Sequence, residues 1–320
     1  MDELKQAAYA ALKDYLALKQ DETLLIVSDE TKREISLSLL EAGKQIAKEA
    51  FLIEMKSREL NGQEPPKQIA ELMKKVDVVV CPTEKSLTHT NARREAVKAG
   101  VRVGTMPGIT KETLLRCLSA DADTIKKLSA YIADKLKGVN TIRVKSAKGT
   151  DIFMPVKDRL ILQSTGVLPN KGDWGNMPSG EVYLAPVENT SKGRIVIDGS
   201  MAAIGLLDEP ITVDVVDGYA VNISGGEAAA KLTAMLDKAG RDARAVAEFG
   251  LGTNYKAILT GQILEDEKVY GTIHIAFGNN LSMGGSIGIG IHLDGLVCQP
   301  DVYFDNEMIM KEGKLLNYEF

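Results

Sequence analysis

The 320-residue sequence predicts an α/β N-terminal domain with a mostly parallel sheet, followed by an α+β domain rich in antiparallel sheet that carries a metal site. Three observations predict it. Up to about residue 104, short apolar runs with β-branched residues alternate with helix-period stretches. From about residue 140, strands instead follow one another through turns. In that second half, lone acids and histidines sit on apolar, glycine-flanked runs, where a charge is costly without a compensating ion. The expected division is 1–138 and 139–320.

Residues 2–19 place Leu4, Ala7, Ala8, Ala11, Leu12 and Leu16 at helical spacing, and residues 22–28 (ETLLIVS) read as a strand. A helix over 31–49, a strand at 50–54, a helix near 66–75 and a strand at 76–81 (VDVVVC) follow. A helix near 90–99 and a strand at 101–104 complete the alternation. Strands separated by helices of this length imply a parallel sheet covered on both faces. Beyond the boundary, 141–145, 194–198, 211–216 and 219–223 read as strands, with Asp217-Gly218 as a hairpin turn between the last two. One convincing helix spans Gly226 to about Gly240. There is no internal repeat and no low-complexity segment.

The net charge of -5 and pI near 5.5, with both signs interspersed, exclude a nucleic-acid-coating surface. No apolar run approaches a membrane span, and the N-terminus lacks a basic segment followed by an apolar one, so a cytoplasmic location is expected. Cys81, Cys117 and Cys298 are far apart and odd in number, which fits reduced, mostly buried thiols better than a disulfide framework.

The chain has three histidines, and two of them, His274 and His292, fall in the glycine-rich stretch 270–295. Strand alternation in 271–278 (GTIHIAFG) puts His274 on a face with Thr272 and Ala276, and Ile273 and Ile275 on the other. In 289–294 (IGIHLD) the same period sets His292 and Asp294 side by side, so that both can bind one metal ion. An H-x-D pair alone is a weak signal and reads better as a hydrogen-bonded His and Asp at a strand end. Glu181 and Glu248 tip the balance, since each is an acid beside glycine and apolar residues with no adjacent lysine. The glycines of 284–290 (GGSIGIG) precede a strand-like segment and not a helix, so they make no phosphate cradle and instead allow close backbone approach. Trp174 reads as a loop anchor or a substrate-stacking residue and receives no assignment.

Four segments, 176–182 (NMPSGEV), 247–254 (AEFGLGTN), 265–278 (EDEKVYGTIHIAFG) and 292–294 (HLD), resemble in order the metal-site motifs of the aminopeptidase T / aminopeptidase S family of metallopeptidases. The resemblance covers most of residues 170–310. It implies five ligands of a two-metal centre, Glu181, Glu248, His274, His292 and Asp294, with zinc, cobalt or manganese, and a homodimer. Residues 83–95 (TEKSLTHTNARRE) with 105–108 (TMPG) also resemble the related 2,5-dihydroxypyridine dioxygenase branch. There a single non-haem Fe(II) would be held by His274, His292 and Asp294. Two departures from the peptidase pattern stand out: His274 and His292 are only 292 − 274 = 18 residues apart, and Asn279-Asn280-Leu281 stands where the peptidases carry a tyrosine.

The leading expectation is therefore an aminopeptidase-like hydrolase acting on small peptides. Its two ions would lower the pKa of a bridging water and polarise the scissile carbonyl. Both glutamates needed for a dinuclear site are retained. Glu267, in the acidic run 265–267, is the candidate general base, against the plainer reading of a solvated turn. The alternative is an Fe(II) ring-cleaving dioxygenase acting on a small dihydroxylated ring. His89 and Arg93, near the end of a first-domain strand, are candidates to neutralise an anionic substrate group, and equally read as a polar helix start with a solvated Arg. A non-catalytic metal-binding homologue is the third reading, disfavoured because all five ligand positions are filled.

Overall fold

The computed structural model describes residues 3–318; Asp2, the first residue of the expected N-terminal helix, lies outside them. Helix α1 (Glu3–Ala10) continues as a π-helical turn over Ala11–Tyr15 and leads to strand β1 (Thr23–Asp29). The alternation then runs α2 (Arg33–Ile46), β2 (Glu49–Met55), α3 (Lys67–Met73), β3 (Val78–Thr83), α4 (Asn91–Lys98) and β4 (Arg102–Pro107). Two further helices follow, α5 (Lys111–Cys117) and α6 (Ala122–Leu136). Strands β5 (Thr141–Lys145), β6 (Asp151–Pro155), β7 (Leu162–Ser164), β8 (Trp174–Asn176) and β9 (Glu181–Leu184) come next. They are followed by β10 (Lys192–Ile197), β11 (Ser200–Met201), β12 (Gly205–Leu206), β13 (Ile211–Val216) and β14 (Tyr219–Ser224). After α7 (Gly226–Ala239) come β15 (Val246–Gly252), the short α8 (Ile263–Asp266) and β16 (Thr272–Gly278). The chain closes with β17 (His292–Cys298), β18 (Asp301–Phe304), β19 (Glu307–Lys311) and β20 (Lys314–Leu315).

The chain divides into two compact units, residues 1–126 with 164–179, and residues 127–163 with 180–320. In the first, a five-stranded sheet of order β2-β1-β3-β4-β8 is parallel throughout. Leu25, Val27, Val79, Cys81 and Val103 pack on one face with Ile69 and Met73 of α3 and Ala92 and Ala96 of α4. Alternation turns Leu24 and Ile26 to the other face, where Gly43 of α2 lies so close that a Cβ there would crowd Leu24. Both faces are thus covered, as the continuous apolar runs require.

The second unit contains two sheets. One has eight strands in the order β14-β13-β10-β6-β5-β18-β19-β20, and the other seven in the order β12-β11-β17-β16-β15-β9-β7. Asp217 and Gly218 both adopt positive φ, 48° and 78°, in the tight turn joining β13 to β14. One buried cluster unites Ile142, Val144 and Ile152 of the first sheet with Val182, Phe249, Leu251, Ile273, Ile275, Phe277 and Val297 of the second, together with Leu232 and Leu236 of α7. Because successive side chains alternate, this core fixes which residues of the seven-stranded sheet face away from it. No helix among the described residues is long and apolar enough to cross a membrane. No disulfide joins the three cysteines, of which Cys81 and Cys117 are buried.

Candidate metal centre

The predicted ligands converge on the face of the seven-stranded sheet opposite the core. On β16, Ile273, Ile275 and Phe277 enter the core, so His274, Ala276 and Gly278 face the other way. Register then aligns the neighbours: Gly250 of β15 opposes His274, Glu248 opposes Ala276, and on the other side Asp294 opposes Ala276 and His292 opposes Gly278. Glu181 of β9 pairs with Gly252 at the far end of β15. The glycines are required by space. A Cβ on Gly250 would overlap His274 Nε2, and one on Gly252 would overlap the Val269 carbonyl. Small residues therefore make the floor on which the imidazole and the 254–271 loop rest.

Two sets of ligand atoms result, Glu181/Glu267/His274 and Glu248/His292/Asp294, each within 4.8 Å of one another. Glu248 joins them, with Oε1 3.2 Å from His274 Nε2 and Oε2 3.2 Å from His292 Nε2. His274 Nε2 lies 3.6 Å from Glu181 Oε2, and His292 Nε2 lies 3.3 Å from Asp294 Oδ1. His292 donates Nδ1–H to the Asn279 carbonyl at 2.8 Å, so in the neutral ring the free nitrogen is Nε2, the one turned toward Glu248 and Asp294. His274 is 1% exposed and Asp294 5%, while the His292 side chain is 32% exposed, so the centre opens on the His292 side.

Burial pushes the carboxyls up, yet Glu248 is held far below the usual carboxylate range by hydrogen bonds from both imidazoles. Glu181 stays raised by burial, against the nearby Lys268 and His274. Glu267 is pushed up to about 8 by burial and by the charges of Glu181 and Asp294. Burial would lower His274, but Glu248 outweighs it and brings the imidazole to about 9. His292 is likewise raised well above its ordinary value against burial, by Asp294 and Glu248. Excess negative charge around neutralisable imidazoles is the electrostatic signature of a cation site. Asp294 Oδ1 and His274 Nδ1 are also buried without a hydrogen-bond partner, and such atoms are costly unless something binds them. The donor set and its orphaned carboxylate oxygen both fit a divalent metal.

The sequence profile of NicX, described as 2,5-dihydroxypyridine 5,6-dioxygenase, matches residues 6–317. The chain belongs to the 2,5-dihydroxypyridine 5,6-dioxygenase family. A curated member from Pseudomonas putida is 24% identical over 243 residues, covering 72% of this chain and 69% of that protein. The solved 2,5-dihydroxypyridine dioxygenase from P. putida KT2440 superposes with a TM-score of 0.82 at 20% identity, over 99% of this chain and 97% of that one. Wild-type AmpT from Thermus thermophilus gives 0.71 at 17% identity, over 98% and 99%. At these identities the two structures show a shared fold. The resemblance to the dioxygenase branch is confirmed at the level of family, and the leading reading as an aminopeptidase, metallopeptidase or hydrolase is overturned: the family match spans nearly the whole chain and is to dioxygenases, whereas the peptidase shares fold alone.

The retained glutamates, taken in the sequence as the mark of two metals, have other partners in this family member. Glu248 lies 3.2 Å from Nε2 of both imidazoles, and Glu181 pairs with Lys268 Nζ at 2.7 Å. Lys268, 1% exposed, also contacts Glu267. Glu181 has no lysine adjacent in sequence, but it has one in space. Glu267 lies in a ligand set, and the run 265–267 is no solvated turn. Glu265 and Asp266 are fully buried, Asp266 accepting from the Thr260 and Gly261 backbone N–H groups and Glu265 from that of Ile258.

His89 and Arg93 belong to the first unit, His89 exposed on the turn before α4 and Arg93 buried in its first turn. Arg93 donates Nε–H to the Thr88 carbonyl and stacks its guanidinium 3.6 Å from the Trp174 ring centre, which gives Trp174 a structural partner on β8. Burial lowers Arg93 to about 10. Three contributors escaped the sequence reading: Lys268, the Asn279 carbonyl and Gly250. The first has a sequence signal, a lysine directly after an acid in a run leading into the His274 strand.

Proposed function

We propose that this chain is a non-haem Fe(II) dioxygenase that opens a dihydroxylated pyridine-type ring. The observation that carries the reading is the set His274, His292 and Asp294 on adjacent strands of one sheet face, with Asp294 Oδ1 buried beside His292 Nε2 and accepting no hydrogen bond, in a chain of this family. Two imidazoles and one carboxylate are the ligand chemistry of mononuclear Fe(II) oxygenases, which leaves further positions open for substrate and dioxygen. When bound there, Fe(II) supplies the electronic coupling through which the ring and dioxygen react.

The chain's own residues do the rest. Asn279 holds His292 in the tautomer that presents Nε2, and Glu248 supplies negative charge between the two rings, 3.2 Å from Nε2 of each. The burial of His274, Glu181, Glu248 and Asp294 excludes water from the inner side, leaving the His292 side for a flat ring to enter. The Glu267 carboxylate, paired with Lys268 beside His274 and Glu181, is the group we assign to exchange a proton with a ring hydroxyl.

The test is direct. Protein loaded anaerobically with Fe(II) is mixed with 2,5-dihydroxypyridine and dioxygen, and oxygen uptake, loss of ring absorbance and incorporation of labelled oxygen are followed. Stoichiometric uptake with both labelled atoms in the product is expected. No uptake with this ring or with other dihydroxylated rings would sink the reading.

A further inference from the structure

The four carboxylates of the centre are not served alike. Glu248 and Asp294 face imidazoles alone, whereas Glu181 and Glu267 share the ammonium of Lys268. Backbone bonds fix that lysine: its carbonyl accepts from the Asn254 N–H at 2.8 Å, and its own N–H donates to the Glu265 carbonyl at 2.9 Å. The loop carrying it can lie against β15 only because Gly252 has no side chain. A buried ammonium persists where carboxylates surround it, and the same oxygens would otherwise draw a divalent ion.

We propose that Lys268 Nζ takes the place of a second cation among Glu181, Glu267 and His274, and so holds the centre to one divalent ion. Glu181 Oε1 and Glu267 Oε1 already accept from Nζ, while Glu181 Oε2 is turned to His274 at 3.6 Å, and a second divalent ion on these carboxylates would sit beside the ammonium in a dry site, where two cations repel strongly. Lys268 thus acts as a positioning and metal-count residue, keeping Glu181 and Glu267 off the metal. The inference rests on the single-metal reading above, but its test does not depend on ring cleavage.

Full-length protein stripped of metal is titrated with Mn(II). Ions per chain are counted by mass spectrometry, and electron paramagnetic resonance distinguishes isolated from spin-coupled Mn(II). Wild type is expected to saturate at one isolated ion per chain. Lys268→Met, which keeps length and removes charge, is expected to saturate at two, with a spin-coupled signal; Lys268→Gln serves the same purpose if the Met variant does not fold, as judged by circular dichroism. Two ions in wild type overturn the inference without recourse to any variant, as does a count of one in a folded variant. Failure of the dioxygenase reading would show instead as absent oxygen uptake with the count unchanged.

Discussion

Gly250 decides whether His274 can reach the centre. Its Cα sits opposite His274 on the neighbouring strand, and any side chain would occupy the volume of the imidazole Nε2. Gly250→Ala is therefore expected to swing the ring away. The cost is about 1–3 kcal/mol for overpacking a tight site, and a weakening of metal affinity by roughly 10–100-fold, the scale seen when a ligand's support is lost. Competition of Fe(II) against a chelator, alongside a thermal melt, checks this; unchanged affinity in a folded variant would refute it. At this scale the five residues that meet on one sheet face were legible as a group, because acids and histidines on apolar runs carry their own physical argument. Lys268 was not legible, because its partners Glu181 and Glu267 come together only through the fold. The roles of Gly250 and the Asn279 carbonyl depend on register and on backbone direction, which composition does not encode.

Among the elements, the glycine-rich connection from β16 to β17 carries Asn279 and leads into His292, and one carboxylate pins it. Glu188 accepts from the Asn280 side chain at 2.9 Å, from the Ser286 N–H at 2.8 Å, and from Arg159, which also reaches the Gly284 carbonyl. Gly285 lies against the Asn280 amide, a close approach of the kind its sequence suggested, although within the loop and not at the metal. Burial would raise the Glu188 carboxyl, but backbone N–H groups, Arg159 and Asn280 outweigh it and hold it at about 2. A carboxyl lower in the folded state than its usual value near 4.5 stabilises the fold above that value and loses this contribution as pH falls toward about 2. After allowance for screening, the contribution is about 2 kcal/mol. Glu188→Gln is expected to flatten the loss of stability between about pH 4.5 and 2 and to speed backbone hydrogen exchange over residues 279–291. An unchanged pH–stability slope would refute the anchor. The elements were legible where periodicity was clean: β5 and β13 match their expected spans, and β1 to β4 fall within a few residues. Helices α5 and α6 went unread, since they lie beyond β4, the last strand of the clear alternation. Nor does any sequence period announce that β8 returns to pair with β4.

For the whole molecule, the two units have separate buried clusters, and every candidate ligand lies in the second. The lone Trp174 lies in the first. A metal that binds only the folded centre stabilises it by mass action, about 2.7 kcal/mol at a free concentration of 100 times Kd. For a unit of this size that corresponds to a melting shift of roughly 5–11 °C. Chelation is therefore expected to lower a calorimetric transition by this amount, while Trp174 fluorescence reports whether the first unit follows. A fluorescence midpoint that stays put would assign the metal-linked transition to residues 127–163 with 180–320. A fluorescence midpoint that moves in step would mean the chain unfolds as one cooperative body. If neither probe shifts on chelation, the ligand set contributes no binding energy to the fold, and the metal centre argued from His274, His292 and Asp294 is wrong.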